Sequence, residues 1–312
     1  MMHAPRLSTF VRAAAVGAIL GLAACGGSEG GDAGDDTEAA TPAPVIVGGV
    51  GFATPESVLH DTGADEYLVS NINGGPLDAD ENGFISRIGP DGDVRDLRWI
   101  DGATDGVTLN APKGMALQGD RLYVADIDCV RMFDRETGAP LGEACPPTAS
   151  FLNDIAPAPD GSSVFFTDSG LDPSFAPTGT DAVYRLGEDG RITVVARDAG
   201  LGAPNGVAVG PRGIFVATFQ SGEVFRLDAE GNRTDVMPPS GGQYDGIEIM
   251  DDGGFLVSSW GHGCIYRVDA QGAVDCAIAG LDAPADIGLD RMRNRVLIPM
   301  FNGNEVRIVP LG

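Results

Sequence analysis

Six segments of the chain share a short pattern, and the second residue is polar and could carry chemistry in five of them. The second residues are, in chain order, Glu56, Lys113, Asn153, Asn205, Asp245 and Ala285. Carboxylate and amide oxygens are the ligands that Ca²⁺, Mg²⁺ and Mn²⁺ prefer, and two carboxylates balance the charge of one divalent ion. If the fold brings the segments together, the pattern predicts a cation site. The alternative is a set of polar side chains that line a water-filled tunnel.

The spacing of the six segments predicts how the fold positions them. They recur at intervals of about 40 to 57 residues, and strand-like runs and turn glycines follow each of them. A repeat near 40 residues that is built of strands is typical of a β-propeller, with one four-stranded blade per repeat around a central axis. The sequence therefore predicts an all-β fold, a six-bladed β-propeller over residues 45–312. The six residues would form one ring at the mouth of the axial channel.

The ends of the repeats predict how the propeller closes. The last repeat holds only three strands, and residues 45–52 have the apolar composition of the missing outer strand, so an N-terminal strand would close the ring. The second strands of the blades are predicted at 67–71, 121–125, 163–167, 213–218, 254–258 and 295–299. Two long connections, 71–83 and 168–181, lie on the face of the ring and are expected to shape a ligand site.

Several of these segments resemble the regucalcin, gluconolactonase and luciferin-regenerating-enzyme family of six-bladed propellers. The resemblance covers residues 50–312 and rests on the segments 55–57, 153–154, 203–208 and 245–246. It implies that Glu56, Asn205 and Asp245 bind a divalent cation and that Asn153 lies beside it. It also implies that Asp245 is the general base of lactone hydrolysis. The expected ion is Ca²⁺, with Mg²⁺, Mn²⁺ and Zn²⁺ as alternatives. The expected function is metal-dependent hydrolysis of a small-molecule lactone or related ester.

Two positions depart from the family pattern. Phe151 stands where members acting on sugar lactones commonly carry an arginine, which argues against gluconolactone as the substrate. Lys113, the only lysine in the chain, occupies a ring position. It could be catalytic by orienting an anionic substrate or stabilising an oxyanion. Alternatively, its ammonium group could pair with Glu56 or Asp245 and replace the metal. The protein would then be a non-catalytic binding propeller of the NHL-repeat kind. A lyase-like or strictosidine-synthase-like propeller is a more remote alternative.

Two further places in the sequence are candidate sites. Asp78, Asp80 and Asn82 match the start of a calcium-binding loop, although the bidentate glutamate at its end is missing. A bound ion there would be structural, and a solvated turn is the alternative. His262 lies on the loop after the second strand of blade five, and it is a candidate substrate contact. An ordinary surface histidine is the alternative.

The N-terminal residues predict export and lipid anchoring. Residues 1–24 combine early arginines, a short apolar run and small residues, as a signal peptide does. The sequence before Cys25 resembles the bacterial lipobox, which implies that Cys25 carries the lipid. Residues 25–44 are predicted to be a flexible acidic tether. The expected location is the bacterial cell envelope, outside the cytoplasm, with membrane contact only through the lipid.

The remaining cysteines predict two disulfide bonds, and the net charge limits the kinds of molecule that the protein could bind. Cys129 and Cys145, and likewise Cys264 and Cys276, lie at matching distances from the turn of an outer hairpin, so each pair is predicted to form a disulfide. The formal net charge of −25 argues against a nucleic-acid partner, because phosphate binding needs a basic surface. We expect a monomer.

Overall fold

The computed structural model describes residues 42–228, 230–238 and 240–312. Across these residues the chain forms strands β1 to β24 and no helix, and the strands make six four-stranded antiparallel sheets. This confirms the predicted all-β, six-bladed β-propeller. The predicted signal segment 1–24, Cys25 and most of the tether lie outside the described residues. No helix in the described part of the chain is long and apolar enough to cross a membrane.

Each of the first five blades is one contiguous run of four strands. Blade one is β2 (Pro55–Asp61), β3 (Glu66–Asn71), β4 (Phe84–Ile88) and β5 (Val94–Asp101). Blade two is β6 (Pro112–Gln118), β7 (Arg121–Asp126), β8 (Cys129–Asp134) and β9 (Pro140–Ala144). Blade three is β10 (Leu152–Pro157), β11 (Ser163–Asp168), β12 (Ala182–Gly187) and β13 (Ile192–Arg197). Blade four is β14 (Pro204–Gly210), β15 (Gly213–Thr218), β16 (Val224–Leu227) and β17 (Arg233–Met237). Blade five is β18 (Tyr244–Ile249), β19 (Phe255–Ser259), β20 (Cys264–Val268) and β21 (Val274–Ala279).

Blade six combines both ends of the propeller. It contains β22 (Gly288–Asp290), β23 (Arg295–Met300) and β24 (Glu305–Pro310), and its outer strand is β1 (Val45–Gly48). β1 pairs antiparallel with β24, from Val45 opposite Ile308 to Gly48 opposite Glu305. The N-terminal strand therefore closes the ring, as predicted, although it is shorter than 45–52. The six observed second strands lie within one residue of their predicted bounds.

The apolar core lies between neighbouring blades. Six clusters of buried apolar side chains each join one pair of adjacent sheets, so every sheet is covered on both faces. Second strands such as β3 are buried along their whole length, which explains why they read as continuous apolar and β-branched runs. Burial of both faces holds the inner strands around the axis, where the polar ring lies.

Candidate functional site

A β-bulge at the start of the inner strand sets the ring residue apart in each of the first five blades. The pairing of inner and second strands shifts register between Pro55 and Ser57, Pro112 and Met115, Leu152 and Ile155, Pro204 and Val207, and Tyr244 and Ile247. A bulge leaves one residue outside the regular ladder and re-aims its side chain. The shift coincides with the polar residue in every case, so the bulge turns that side chain towards the axis.

A strained backbone position comes two residues before the ring residue in four blades. The φ angle there lies between 47° and 59°, at Thr54, Ala203, Gln243 and Ala283. This left-handed conformation costs a non-glycine residue on the order of 1 kcal/mol. The carbonyls of these residues accept backbone hydrogen bonds of 2.9 to 3.1 Å from the first residues beyond the second strands, which are Ile72, Phe219, Trp260 and Phe301. The strained turns thereby hold four apolar residues beside the ring.

The ring residues and the four apolar residues beside them line one cavity of about 170 Å³. Five of the six ring residues line it, namely Glu56, Lys113, Asn153, Asn205 and Asp245. All five side chains are buried, whereas Phe219, Trp260 and Phe301 are partly exposed, so the ring forms the inner end of the cavity. The two long loops also contribute, with Pro76 from 72–83 and with Leu171 and Phe175 from 169–181. The structure thus brings together the ring and both loops singled out from the sequence.

Four oxygen atoms in this cavity have no hydrogen-bond partner among the described residues. They are Glu56 Oε2, Asn153 Oδ1, Asn205 Oδ1 and Asp245 Oδ1. Buried polar atoms are rarely left unpaired in proteins, and an unpaired buried oxygen is costly. The amide nitrogen of Asn153 donates to Ser169 Oγ at 3.2 Å, which leaves the amide oxygen for the cavity. Four unpaired hard oxygens in one cavity fit a divalent cation of the kind expected from the sequence.

The charges of the two ring carboxylates are also poorly balanced. Burial raises the pKa of Glu56 well above its usual value; the charges of Asp245 and Asp286 raise it further, and Lys113 lowers it. Burial likewise raises the pKa of Asp245, with Asp286 adding to the shift and the indole of Trp260 opposing it. A bound cation would offset these costs, because an adjacent positive charge favours the ionised carboxylate.

Lys113 does not fill the site as an ion-pair partner. Its Nζ donates to the carbonyl of Ala111 at 2.9 Å and lies 4.9 Å from the centre of the Phe151 ring. None of the salt bridges among the described residues includes Lys113. Burial lowers its pKa to about 8, against the opposing effect of Glu56. The ammonium group therefore faces the cavity without neutralising a ring carboxylate.

Two further carboxylates lie one residue beyond the ring and belong to a different cavity, of about 290 Å³. Asp154 accepts backbone hydrogen bonds from Ile155 and Val207, both at 2.6 Å. Asp286 accepts a hydrogen bond of 2.5 Å from Ser57 Oγ, and burial raises its pKa to about 7. Sequence reasoning missed this second layer of acidic groups, which adds to the negative potential at the ring.

A signal for this layer was present in the sequence. The residue after the ring position is glycine in three blades, at Gly114, Gly206 and Gly246. A Cβ atom at Gly114 would collide with the carboxylate and backbone of Asp154, and one at Gly246 would collide with those of Asp286. Gly114 and Gly246 thus leave room for the aspartates of the next blade. Sequence reasoning also missed the four apolar residues beside the ring, which share a place directly after the second strand: Ile72, Phe219, Trp260 and Phe301.

The other predicted site residues lie elsewhere. His262 is exposed on the loop between β19 and β20 and is not among the residues lining the cavity; its Nδ1 lies 3.0 Å from the hydroxyl of Tyr266. From this loop it is Trp260 that reaches the cavity. Asp78 and Asp80 are exposed in the 72–83 loop, where they accept hydrogen bonds from Gly75 N and from Asn82 Nδ2. Calcium binding by this loop stays a prediction.

Both predicted disulfides are confirmed. Cys129 is bonded to Cys145 in blade two, with a Cα–Cα distance of 4.2 Å. Cys264 is bonded to Cys276 in blade five, with a Cα–Cα distance of 6.0 Å. In blade five the bond joins the two outer strands, and in blade two it joins β8 to the residue directly after β9.

Together, the fold and the site define a six-bladed propeller with a buried, oxygen-rich ring at one end of its channel. The family described as the SMP-30/Gluconolactonase/LRE-like region matches residues 90–284, more than half of the chain, and the chain belongs to this family. The match confirms the family resemblance inferred from the sequence. It spans Lys113, Asn153, Asn205 and Asp245, whereas Glu56 precedes it.

Solved structures share the fold at low sequence identity. A gluconolactonase from Xanthomonas campestris is 22% identical, with a TM-score of 0.65 over 84% of this chain and 87% of the other. Virginiamycin B lyase from Staphylococcus aureus is 13% identical, with a TM-score of 0.62 over 86% of this chain and 99% of the other. A search among curated proteins found no match. At these identities, the likeness concerns the fold.

Proposed function

We propose that the protein is a divalent-cation-dependent hydrolase of lactones or related esters. The observation that carries the proposal is the set of four unpaired oxygens that share one cavity. Glu56, Asn205 and Asp245 would hold the cation, with Asn153 as a fourth oxygen ligand. The proposed ion is Ca²⁺, because carboxylate and amide oxygens with no nitrogen or sulfur donor suit a hard cation. Membership in a family whose lactonases generally use a divalent metal supports a divalent cation at this site.

The chain's own residues supply the proton transfer. When bound, a divalent cation polarises an ester carbonyl and acidifies water. Asp245 accepts a proton from water as the water oxygen bonds to the carbonyl carbon of the lactone. Lys113 faces the negative charge that then develops on the carbonyl oxygen. The C–O bond within the lactone breaks, and the proton passes from Asp245 to the departing alkoxide. One water is consumed, and the product is a hydroxy acid.

The position of Lys113 favours this function over a non-catalytic binding propeller. The binding alternative requires Lys113 to neutralise Glu56 or Asp245 and so to take the place of the cation. Its ammonium group instead donates to Ala111 and lies over Phe151. The ring oxygens consequently stay available for a cation.

The metal content of the full chain tests the proposal. After dialysis against trace calcium, we expect about one divalent ion per chain at the ring, measured by mass spectrometry of the metals. Asp245→Asn should lose that ion and all lactone hydrolysis, and chelation should abolish hydrolysis reversibly. Asp80→Ala is the matched control, because it removes a carboxylate of the exposed loop and should keep both activity and the ring ion. If wild type holds no ion and hydrolyses no lactone with added Ca²⁺, Mg²⁺, Mn²⁺ or Zn²⁺, the proposal fails.

We also propose that the propeller works outside the cytoplasm, tethered through Cys25. Two disulfides support this location, because such bonds persist mainly in oxidising compartments. Labelling of the full chain with a radioactive fatty acid in a bacterial host, with Cys25→Ala as control, tests the anchor. Equal labelling of the two chains would contradict it.

A further inference from the structure

The side chains that line the cavity outside the ring, called the wall below, are mostly apolar, whereas the ring is polar. The wall includes five aromatic side chains, namely Phe151, Phe175, Phe219, Trp260 and Phe301, together with the apolar Ile72, Pro76 and Leu171. They come from blades one, three, four, five and six and from both long loops. The apolar surface therefore surrounds the approach to the ring.

The aromatic residues pack into two continuous groups. The ring of Phe219 lies 5.5 Å from that of Trp260, and Trp260 lies 4.9 Å from Phe301. Across the cavity, Phe151 lies 6.1 Å from Phe175. The backbone hydrogen bonds to the strained turns hold the backbone of the first group beside the ring.

Few polar groups on the wall are free to bind hydroxyl groups. Ser169 Oγ already donates to the carbonyl of Pro204 and accepts from Asn153. The indole Nε1 of Trp260 makes no well-formed hydrogen bond among the described residues, but it lies close enough to Asp245 to lower the pKa of that carboxylate. Asp245 therefore competes with a ligand hydroxyl for this donor. A ligand hydroxyl placed against this wall would lose its hydrogen bonds to water, at a cost of roughly tenfold in affinity for each unpaired group.

We infer that the site takes a small hydrophobic lactone or ester and discriminates against polyhydroxylated sugar lactones. This inference deepens the proposed function and rests on it for the reacting group. The carbonyl would lie at the ring, and the alkyl or aryl part of the substrate would lie against Phe219, Trp260 and Phe301. The cavity of about 170 Å³ is small beside the roughly 300–1,000 Å³ of most ligand sites. It therefore has room for a substrate with one lactone ring and a few further carbon atoms.

Three six-membered lactones with alkoxide leaving groups test the inference on the full chain. They are δ-valerolactone, which is unsubstituted, δ-decalactone, which carries an alkyl chain, and D-glucono-1,5-lactone, which carries hydroxyls. Each kcat/KM is divided by the uncatalysed rate of the same lactone. We expect δ-decalactone to exceed gluconolactone by at least 100-fold. Phe301→Ala should raise KM for δ-decalactone about tenfold and change δ-valerolactone less than twofold. Met292→Ala, an exposed apolar truncation, is the control.

A binding measurement separates this inference from the proposed function. The chain has two tryptophans, so in a Trp99→Phe chain the fluorescence reports on Trp260 alone. Adding Asp245→Asn removes turnover, and we expect δ-decalactone to change the fluorescence at a concentration at least tenfold below that needed for gluconolactone. If wild type hydrolyses no lactone but this binding preference holds, the proposed function fails and the hydrophobic site stands. If lactones are hydrolysed but gluconolactone binds as tightly as δ-decalactone, or if neither binds, the inference is overturned.

Discussion

Lys113 lies against Phe151, with its Nζ 4.9 Å from the centre of the aromatic ring. Burial lowers the pKa of Lys113 to about 8, and the charge of Glu56 opposes the shift without cancelling it. The ammonium group gives its hydrogen bond to a backbone carbonyl, at Ala111. A buried lysine without a partner carboxylate changes its charge within the range in which enzymes are assayed.

The first prediction concerns the alkaline limb of the pH profile. If the Lys113 ammonium stabilises the oxyanion, kcat/KM for a lactone should fall as the pH rises through about 8, because the lysine loses its charge there. Lys113→Met should lower kcat/KM about 100-fold, the loss typical of removing one oxyanion donor, and should abolish this limb. Lys113→Arg keeps a charge and should move the limb to higher pH. Rates are measured from pH 6 to 10 and corrected for alkaline hydrolysis. An unchanged limb in Lys113→Met would contradict a role for this lysine.

Much of the ring could be predicted because it repeats. Glu56, Asn205 and Asp245 occupy the same place in three blades, so the recurring segment locates all of them and predicts the strands around them. The bulges and strained turns could not be predicted, because they depend on pairing with the second strand rather than on residue type. His262 was singled out because it has a titratable side chain on the loop between β19 and β20. Trp260, which lines the cavity, has no titratable group and was therefore overlooked.

Residues from different blades were harder to place. The state of Lys113 depends on Ala111 and Phe151, and whether it faced a carboxylate was left open by the sequence. Asp286 is buried against Ser57, a residue more than two hundred positions away along the chain. Contacts across the closure of a ring carry no local signal, so they became visible only in the folded chain.

The second prediction concerns Asp286 and the stability of the propeller. Burial raises the pKa of Asp286 from the 3.8 of a free aspartate to about 7, so between these pH values the folded state holds a proton that the unfolded state has lost. The folded state then binds more protons, and its stability falls as the pH rises from about 4 to 7. Asp286→Asn removes this cost and keeps an acceptor for Ser57. It should raise the free energy of unfolding at pH 8 by about 4 kcal/mol, with little change at pH 4.

Urea unfolding in the presence of a chelator, at several pH values, measures this difference between the two chains. Asp91→Asn, at an exposed carboxylate, is the control and should change stability little at any pH. A difference between wild type and Asp286→Asn that does not vary with pH would show that the carboxylate is not the cause.

The third prediction concerns the two disulfides, which lie at the outer hairpins of blades two and five. These blades lie opposite each other in the ring, so the bonds share no neighbours. They close loops with sequence separations of 16 and 12 residues, and each should contribute about 3 kcal/mol through the entropy of the unfolded chain. Replacing Cys129 and Cys145 together by alanine should lower the free energy of unfolding by about that amount, and so should replacing Cys264 and Cys276. Because distant sites act independently, the quadruple variant should lose the sum to within about 0.5 kcal/mol. Urea unfolding without reductant measures all four chains, and added reductant should not affect the quadruple variant. A coupling well above 0.5 kcal/mol would mean that the blades do not respond separately, since the bonds themselves do not touch.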